Sequence, residues 1–417
     1  MRIAKLLAPA AVAAMTAACF ATLPVRAEKP VPVAAVELST ANNQFGFELL
    51  KRLHKDGENT FISPTSIGMA LQMTSRGAKG DTLAEMNQTM HVEKLAVGDA
   101  NRALLDALSG RDDVKLRIGN SIWADPAKLN LNRKFADTVE GEFDAEISAV
   151  SFADSGTKDR INTWVSDATE KKIPKLIEDL DASTVCVLVN AIYFKGDWTV
   201  KFDKERTAKA DFTLADGSKQ PVMMMHSVKK GEWRYTDSDD VQVVALPYGP
   251  AGDPEVPGTE PKVHMWLIVP KAGKTLDEVV SGMTSEKFAA LRKAAYHRPG
   301  TIALPRFAMK FKKELQDDLP EMGMKSAFDG SKADFSGFED QPAGRGKLFI
   351  SRVIHEAVIE LDEEGTEAAA ATAVVMERGA APRNFTVTCD KPFLLAITDE
   401  KSGSVMFVGT VYKPDSK

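Results

Sequence analysis

Histidine and cysteine are scarce in this 417-residue chain, which contains six histidines and three cysteines. None of the histidines forms a His-Glu-x-x-His pair or another spacing typical of metal ligands. No Gly-x-Ser-x-Gly turn presents a nucleophilic serine, and no second group is placed opposite the carboxylates of Asp362, Glu363 and Glu364. The sequence therefore gives no positive indication of catalysis, and we expect neither an enzyme nor a bound metal or other cofactor.

Three cysteines are also too few for a disulfide scaffold. Cys186 and Cys389 lie in apolar runs typical of strands, where a small buried thiol is the ordinary interpretation. A phosphate loop is lacking as well. Residues 77–82, GAKGDT, do not end in Gly-Lys-Ser or Gly-Lys-Thr and follow no strand, which favours a turn that ends a helix.

The chain has no excess of positive charge, since its formal net charge is −6. The first residues read as an export signal: Arg2 and Lys5 precede an apolar stretch at 6–18, and Val25-Arg26-Ala27 offers a small-x-small cleavage site. Removal of residues 1–27 deletes three basic and no acidic residues, which lowers the charge to −9. Nucleic acid is therefore not an expected partner.

We expect a secreted or periplasmic monomer. The apolar stretch is too short to span a bilayer stably. Thr16-Ala17-Ala18-Cys19 also resembles a lipoprotein cleavage box, although Thr16 stands where an aliphatic residue is preferred. Soluble export is the favoured interpretation, and we expect a membrane attachment only if Cys19 is lipidated.

Helical periodicity marks the first third of the chain, at residues 42–54 and again from Ser63-Pro64 to Met73. Strand patterns prevail later. Residues 184–194 form a nearly continuous apolar run, and residues 241–246 and 263–269 predict two strands around a Gly- and Pro-rich surface loop at 249–261. Helices gathered early and strands gathered late predict an α+β fold.

Residues 365–376, GTEAAAATAVVM, combine two opposed local preferences. Glutamate and alanine favour a helix, whereas Thr-Ala-Val-Val-Met favours a strand. As a strand, the segment would place on one face a small, uncharged set: Thr366, Ala368, Ala370, Thr372, Val374 and Met376. No proline interrupts it, so a central position in a sheet is open to it. Taken alone, the segment is better described as an Ala-rich surface helix or a disordered loop than as a strand.

Four blocks in order resemble the serpin family over roughly residues 42–414. The first is residues 59–73, NTFISPTSIGMALQM, followed by the glycines of 77–82. The second is residues 190–198, NAIYFKGDW, with Phe202. The third is residues 354–365, IHEAVIELDEEG, and the fourth runs from KPF at 391–393 to FVG at 407–409.

The resemblance implies a serpin fold: an N-terminal part with many helices, three β-sheets and an exposed reactive-centre loop at about 363–384. It implies one domain over residues 42–417, preceded by a signal peptide at 1–27 and a flexible segment at 28–41. It also implies a suicide inhibitor of serine proteases. The protease attacks the loop, and the loop then inserts into the central sheet while the acyl-enzyme remains covalently attached.

Matching positions assign roles to individual residues. The family's shutter, a polar cluster beneath the opening of the sheet, matches Ser63, Ser66, Asn190 and His355, and its breach at the top of the sheet matches Trp198. The hinge of the loop matches the inhibitory pattern, without bulky, charged or proline residues between Ala368 and Ala373. Its residues are Glu363, Glu364, Gly365, Thr366, Glu367, Ala368, Ala369, Ala370, Ala371 and Thr372.

The scissile bond is left open by the sequence. The family's usual spacing from the hinge glycine places it between Gly379 and Ala380, whereas Arg378 suits the acidic pocket of a trypsin-like protease. We favour Arg378 and a trypsin-like target, with an elastase-like or subtilisin-like enzyme as the alternative. Few basic residues follow Met90, so no heparin cofactor is expected. A non-inhibitory serpin that acts as a binder or chaperone is the alternative function.

Overall fold

The computed structural model describes residues 30–109, 111, 113–227, 231–252, 259–340, 347–366 and 384–415. Residues from Val31 onward belong to one compact unit. The helices are α1 Val33–Leu53, α2 Pro64–Ser75, α3 Gly80–Thr89, α4 Val97–Leu108, α5 Arg133–Phe143, α6 Thr157–Ala168, α7 Leu276–Gly282, α8 Ser285–Ala294 and α9 Asp318–Glu321. None of these described helices is both long and apolar enough to cross a membrane.

The strands, in chain order, are β1 Thr60–Ile62, β2 Lys115–Ala124, β3 Ala145–Ala149, β4 Cys186–Asp197, β5 Ala208–Thr213, β6 Lys219–His226, β7 Gly231–Asp237, β8 Val241–Tyr248, β9 Val263–Pro270, β10 Tyr296–Pro305, β11 Phe307–Glu314, β12 Ile354–Leu361, β13 Gly365–Thr366, β14 Phe385–Thr388, β15 Phe393–Asp399 and β16 Val405–Val411. Strands β4, β8 and β9 confirm the predicted apolar runs. The described ends of the predicted loop at 249–261 contain no strand, and residues 253–258 lie outside the described part of the chain.

Helix α1 begins at Val33, so the prediction of a flexible segment at 28–41 is wrong from Val33 onward. Ala35, Leu38 and Ala41 are buried and extend the apolar stripe that continues with Phe45. Two of these three side chains are alanines, which give a weak hydrophobic signal although they favour a helix. The sequence pattern therefore became recognisable only at residue 42.

Helix α2 begins where the sequence predicted. The Ser63 hydroxyl accepts a hydrogen bond from the Ser66 amide at 3.1 Å, and Pro64 occupies the first helical position. A serine cap followed by proline is a strong signal for the start of a helix, because both fit the unpaired amides of the first turn. The helix places Ser63 and Ser66 in the interior of the protein, where both are buried.

Strands of the described residues form three hydrogen-bonded sheets, as predicted. The largest has ten strands in the order β1-β16-β15-β9-β8-β7-β10-β6-β5, with β14 beside β10. Strands β9, β15 and β16 are buried along their whole length and form the centre of the core. The second sheet has the order β13-β4-β2-β3, and the third consists of β11 and β12.

Both cysteines of the described chain are free thiols in or beside strands. Cys186 begins β4 and is half-buried, and burial raises the pKa of its thiol to about 12. Cys389 directly follows β14 and is fully buried, and burial raises the pKa of its thiol too. Both are therefore protonated and unreactive near neutral pH, in keeping with the expectation of ordinary buried thiols.

The turn that follows α6 contains two adjacent residues with left-handed backbone angles: Glu170 at φ 51° and Lys171 at φ 65°. A side chain in this region costs about 1 to 2 kcal/mol, and glycine avoids that cost. We therefore expect Lys171→Gly to raise the free energy of unfolding by about 1 kcal/mol. The measurement is the shift in the midpoint of chemical unfolding.

Lys175→Gly is the matched control, since Lys175 is also exposed but has no positive φ. It removes the same side chain where glycine only adds entropy to the unfolded chain, so we expect it to lower the stability. A loss of stability in both variants would contradict the assignment of strain to Lys171.

Candidate functional site

The chain re-enters a sheet at β13, immediately before the predicted reactive loop. Gly365 and Thr366 pair in antiparallel register with Asp197 and Gly196 at the end of β4. Both are buried. The predicted hinge residues Glu367, Ala368, Ala369, Ala370, Ala371 and Thr372 and the predicted cleavage residues Arg378, Gly379 and Ala380 lie outside the described part of the chain.

Gly365 is the residue that permits this pairing. Its φ is +148°, in the range that favours glycine, and a Cβ at this position would lie 2.2 Å from the carbonyl oxygen of Gly196. A side chain of any size would therefore push β13 away from β4. The sequence predicted a hinge with free backbone angles here, and the close approach to Gly196 gives a second reason for glycine.

Trp198, the predicted breach residue, holds the segment that leads into β13. Its backbone amide donates to the carbonyl oxygen of Glu364 at 2.8 Å, and its indole Nε1 donates to the carbonyl oxygen of Asp362 at 3.0 Å. The ring stacks on Tyr248 at a centroid distance of 4.3 Å. The Tyr248 hydroxyl in turn lies 2.9 Å from Oγ1 of Thr366. Trp198 and Tyr248 thus connect the hinge to the core.

Charged side chains fix the acidic part of the hinge. Lys201 and Lys204 each place Nζ at 2.6 Å from the Glu364 carboxylate, and these hydrogen bonds lower the pKa of Glu364. Glu363 is buried, and its carbonyl oxygen accepts from the Phe202 amide at 2.9 Å. Hence Glu363 and Glu364 anchor the hinge at neutral pH.

The predicted shutter residues lie together at the start of α2. The Ser63 amide donates to Nε2 of His355, on β12, at 3.3 Å. Burial lowers the pKa of His355 from 6.5 to about 4. The imidazole is therefore neutral at pH 7, which is the state in which a ring nitrogen accepts a hydrogen bond.

Ser66 connects the same helix to β4. Its hydroxyl donates to Oδ1 of Asn190, and Nδ2 of Asn190 donates to Oδ1 of Asn120 at 2.7 Å. Asn120 is buried on β2, directly opposite Asn190, and donates to the carbonyl oxygen of Phe143 at 2.7 Å. The role of Asn120 in this network was not predicted from the sequence, where an asparagine within a strand pattern was the only signal of it.

A slot separates β4 from β12. No ladder of hydrogen bonds joins these two strands within the described residues, yet the start of α2 contacts both, through Asn190 on one side and His355 on the other. The slot holds a cavity of about 20 Å³ that Thr366 helps to line. Its lining residues are Thr169, Lys172, Ile173, Ile192, Tyr193, Phe194, Val358, Glu360 and Thr366.

The fold and the site together define a protein in which β4 and β12 face each other across a slot. The segment at Gly365 and Thr366 begins to fill this slot by pairing with β4. A family model for "Serpin (serine protease inhibitor)" matches residues 40–414. The chain therefore belongs to the serpin family, and the α+β serpin fold predicted from the four sequence blocks is confirmed.

Individual relatives agree with the family assignment. The chain is 32% identical to the leukocyte elastase inhibitor of Homo sapiens over 392 residues, which cover 91% of this chain and 100% of the relative.

 The solved structure of Tengpin, a thermophilic serpin in the native state, is 29% identical with a TM-score of 0.81 and covers 93% of this chain and 96% of Tengpin. Human thyroxine-binding globulin, solved in a complex, is 26% identical with a TM-score of 0.77, over 92% of this chain and all of that chain. The chain is thus similar both to a protein named as an elastase inhibitor and to one named as a thyroxine-binding globulin.

The buried neutral His355 predicts a loss of stability in acid. The unfolded chain binds a proton near pH 6.5, whereas the folded chain resists it until about pH 4. The folded-state pKa is the lower one, so the stabilisation is complete above pH 6.5 and is lost as the pH falls through the range down to about 4. We expect His355→Gln, which keeps an acceptor but does not titrate, to remove about 2 to 3 kcal/mol of the stability difference between pH 7 and pH 4.5.

The measurement is chemical unfolding of wild type and variant at both pH values. His297→Gln is the control, because His297 is exposed, and it should leave the pH dependence unchanged. Groups such as His264, whose pKa burial also lowers to about 4, contribute equally to wild type and His355→Gln. The same pH dependence in His355→Gln and wild type would contradict the role of His355.

Proposed function

We propose that this protein is a suicide-substrate inhibitor of serine proteases, which traps the acyl-enzyme by inserting its cleaved reactive loop, residues 363–384, between β4 and β12. The observation that carries the proposal is the pairing of Gly365 and Thr366 with β4 at the top of the slot. Both residues belong to the predicted hinge, so the strand that insertion requires already has its first two residues in position.

Continuing this register along the sequence gives the partners of the remaining loop. Each step forward from Thr366 is one step back from Gly196 along β4, which pairs Thr372 with Asn190 and Met376 with Cys186, the first residue of the strand. The edge of β4 thus has room for the hinge and the residues up to Met376. The predicted scissile bonds at Arg378 and Gly379 lie just beyond that point in the sequence.

The register also matches the two faces of the loop to their surroundings. Residues directly opposite on antiparallel strands share a face. Thr366, Ala368, Ala370 and Thr372 would face the same side as Phe194, Ile192 and Asn190, which contact the main core and the shutter. This is the small, uncharged face of the loop, so its burial requires no buried charge.

The chemistry belongs to the protease, and the inhibitor supplies the trap. The protease serine attacks the loop carbonyl, and the peptide bond breaks as the new amine leaves, which gives an ester between enzyme and loop. Insertion then adds backbone hydrogen bonds along β4 and β12 and buries the small, uncharged face of the loop. Because the inserted form lies lower in free energy, the native form is metastable and the inhibitor is consumed rather than turned over.

The similarity to the leukocyte elastase inhibitor supports protease inhibition. Arg378 favours a trypsin-like target, and an elastase-like or subtilisin-like protease is the alternative. A non-inhibitory role as a binder or chaperone is the second candidate, supported by the likeness to a thyroxine-binding globulin. We further propose export as a soluble monomer to a secreted or periplasmic location, with lipid anchoring through Cys19 as the alternative.

Thr366→Arg should convert the inhibitor into a substrate. Thr366 is 5% exposed and its Oγ1 lies 2.9 Å from the Tyr248 hydroxyl, so an arginine there has no space and blocks insertion by bringing a charge into the slot. We expect trypsin to form a covalent complex with the wild type, visible on a denaturing gel, and to cleave the variant without a complex. Thr40→Arg, at an exposed position of α1, should still form it. Equal amounts of complex in all three proteins would contradict insertion through this hinge.

The scissile bond follows from the peptide that the protease releases. If trypsin cleaves after Arg378, mass spectrometry should find a C-terminal fragment beginning at Gly379, and Arg378→Ala should abolish the complex with trypsin. A fragment that begins at Ala380 with an elastase or subtilisin would instead assign the bond to Gly379. No complex with any of the three proteases, together with no gain in thermal stability on cleavage, would favour the non-inhibitory alternative.

A further inference from the structure

A cavity of about 600 Å³ lies beside the turn between β12 and β13. The turn lines it together with the segment before β5, strand β6 and the corner between β10 and β11. Its lining residues are Lys204, Thr207, Met223, Arg306, Asp362, Glu363 and Glu364. Sites for small molecules typically have volumes of roughly 300–1,000 Å³. The cavity therefore has the size of a small-molecule site.

The Glu363 carboxylate at this cavity accepts no hydrogen bond from the described residues. Its side chain is 7% exposed, and its ion-pair partner in the described chain is Arg306, at 3.8 Å. At that distance the two charges attract each other, but the separation is too long for a hydrogen bond. A buried carboxylate without hydrogen-bond donors is strongly destabilising. The Glu363 carboxylate therefore requires a donor from outside the described chain.

Two further polar atoms at the cavity are in the same situation. Nε of Arg306 and Oγ1 of Thr207 are buried, and neither has a hydrogen-bond partner among the residues that the structure describes. Buried polar groups in folded proteins are nearly always hydrogen-bonded, to protein, water or a ligand. The cavity thus combines an acceptor at Glu363, a donor at Arg306 and a hydroxyl at Thr207 that can act as either.

The other two carboxylates of the turn already have partners. Lys201 and Lys204 each place Nζ at 2.6 Å from Glu364, and Oδ1 of Asp362 accepts from the Glu364 amide at 2.9 Å. No three acidic, histidine or cysteine side chains of the described chain are arranged to hold a metal ion. The donor that suits Glu363 is therefore an organic cation such as an ammonium group.

A zwitterion satisfies both charged groups at once. A cation alone would leave Arg306 Nε without a partner, and an anion alone would leave Glu363 without a donor. In a free α-amino acid the ammonium and carboxylate groups are attached to the same carbon, so the two charges lie side by side, as those of Arg306 and Glu363 do. Met223 offers an apolar contact in the same cavity.

We propose that this cavity binds a free α-amino acid, whose ammonium group donates to Glu363 and whose carboxylate accepts from Arg306 and Thr207. The ligand joins the turn between β12 and β13 to the segment before β5 and to the corner after β10. Because it binds the folded chain, it stabilises the protein against unfolding. This binding goes beyond the proposed inhibition of proteases and does not depend on it.

The test is isothermal titration calorimetry of the mature protein, without a protease, with each of the standard amino acids at up to about 10 mM in a buffer without zwitterions. We expect at least one to bind with a dissociation constant between about 10 µM and about 1 mM, the range for a ligand of this size. Its N-acetyl derivative and its amide each lack one charge, so each should bind at least about ten-fold more weakly.

Thr207→Val gives a test that does not disturb folding, because it keeps the shape of the side chain and removes a hydroxyl without a partner in the described chain. Without ligand, its thermal midpoint should equal or exceed that of wild type, while its affinity for the amino acid should fall about five-fold. Glu363→Gln should weaken binding at least about ten-fold, since it removes the charge. Thr213→Val, at an exposed position of β5, should bind like wild type.

Three results would overturn the proposal. The first is no binding by any of the amino acids, which would mean that the cavity holds water only. The second is equal binding of the N-acetyl and amide derivatives, and the third is unchanged affinity in Thr207→Val. Failure of the proposed function is a separate result: no covalent complex forms with trypsin, an elastase or subtilisin, while the amino acid still binds.

Discussion

The edge of β4 that faces β12 is the constraint on which this structure depends. A strand edge with unpaired amides and carbonyl groups normally binds a neighbouring strand, because those groups need partners when water is excluded. Here the neighbour β12 stays in a separate sheet, and among the described residues only Gly365 and Thr366 pair with the edge. The proposed trap requires that the remaining positions stay available until a protease has cut the loop.

Polar contacts maintain this state from below and above. Beneath the slot, Ser63 and Ser66 at the start of α2 contact His355 on β12 and Asn190 on β4. On the other side, residues 169–179 contact β2 through Glu170 and β12 through Lys172. Each of these two pairs of contacts links the two sheets without filling the space between them. The slot therefore has a defined width although, within the described residues, no ladder of backbone hydrogen bonds spans it.

The sequence predicted those features of the fold and the site that depend on local residue patterns or on the resemblance to the family. The cap of α2 at Ser63, the apolar run of β4 and the small face of residues 366–376 are readable from neighbouring residues. The start of α1 was misplaced because Ala35 and Ala41 give little hydrophobic contrast. Asn120 and the ion pairs of Glu170 and Lys172 were not predicted at all. They depend on which residues of distant segments lie opposite each other, and strand register is fixed by the tertiary fold.

Polar contacts suit a closed state that has to open. An apolar lid over the slot would expose hydrophobic surface each time it lifted, and that cost grows with the area exposed. A carboxylate or an ammonium group that loses its partner at the surface regains water, so the net cost of opening is small. The buried shutter contacts are more expensive to break, because an unpaired group there has no water to bind. In the proposed insertion, a strand that enters from the top would meet the weaker contacts first. If the register of Gly365 and Thr366 continued, Thr372 would arrive opposite Asn190, where its hydroxyl would supply a new partner for the opened shutter.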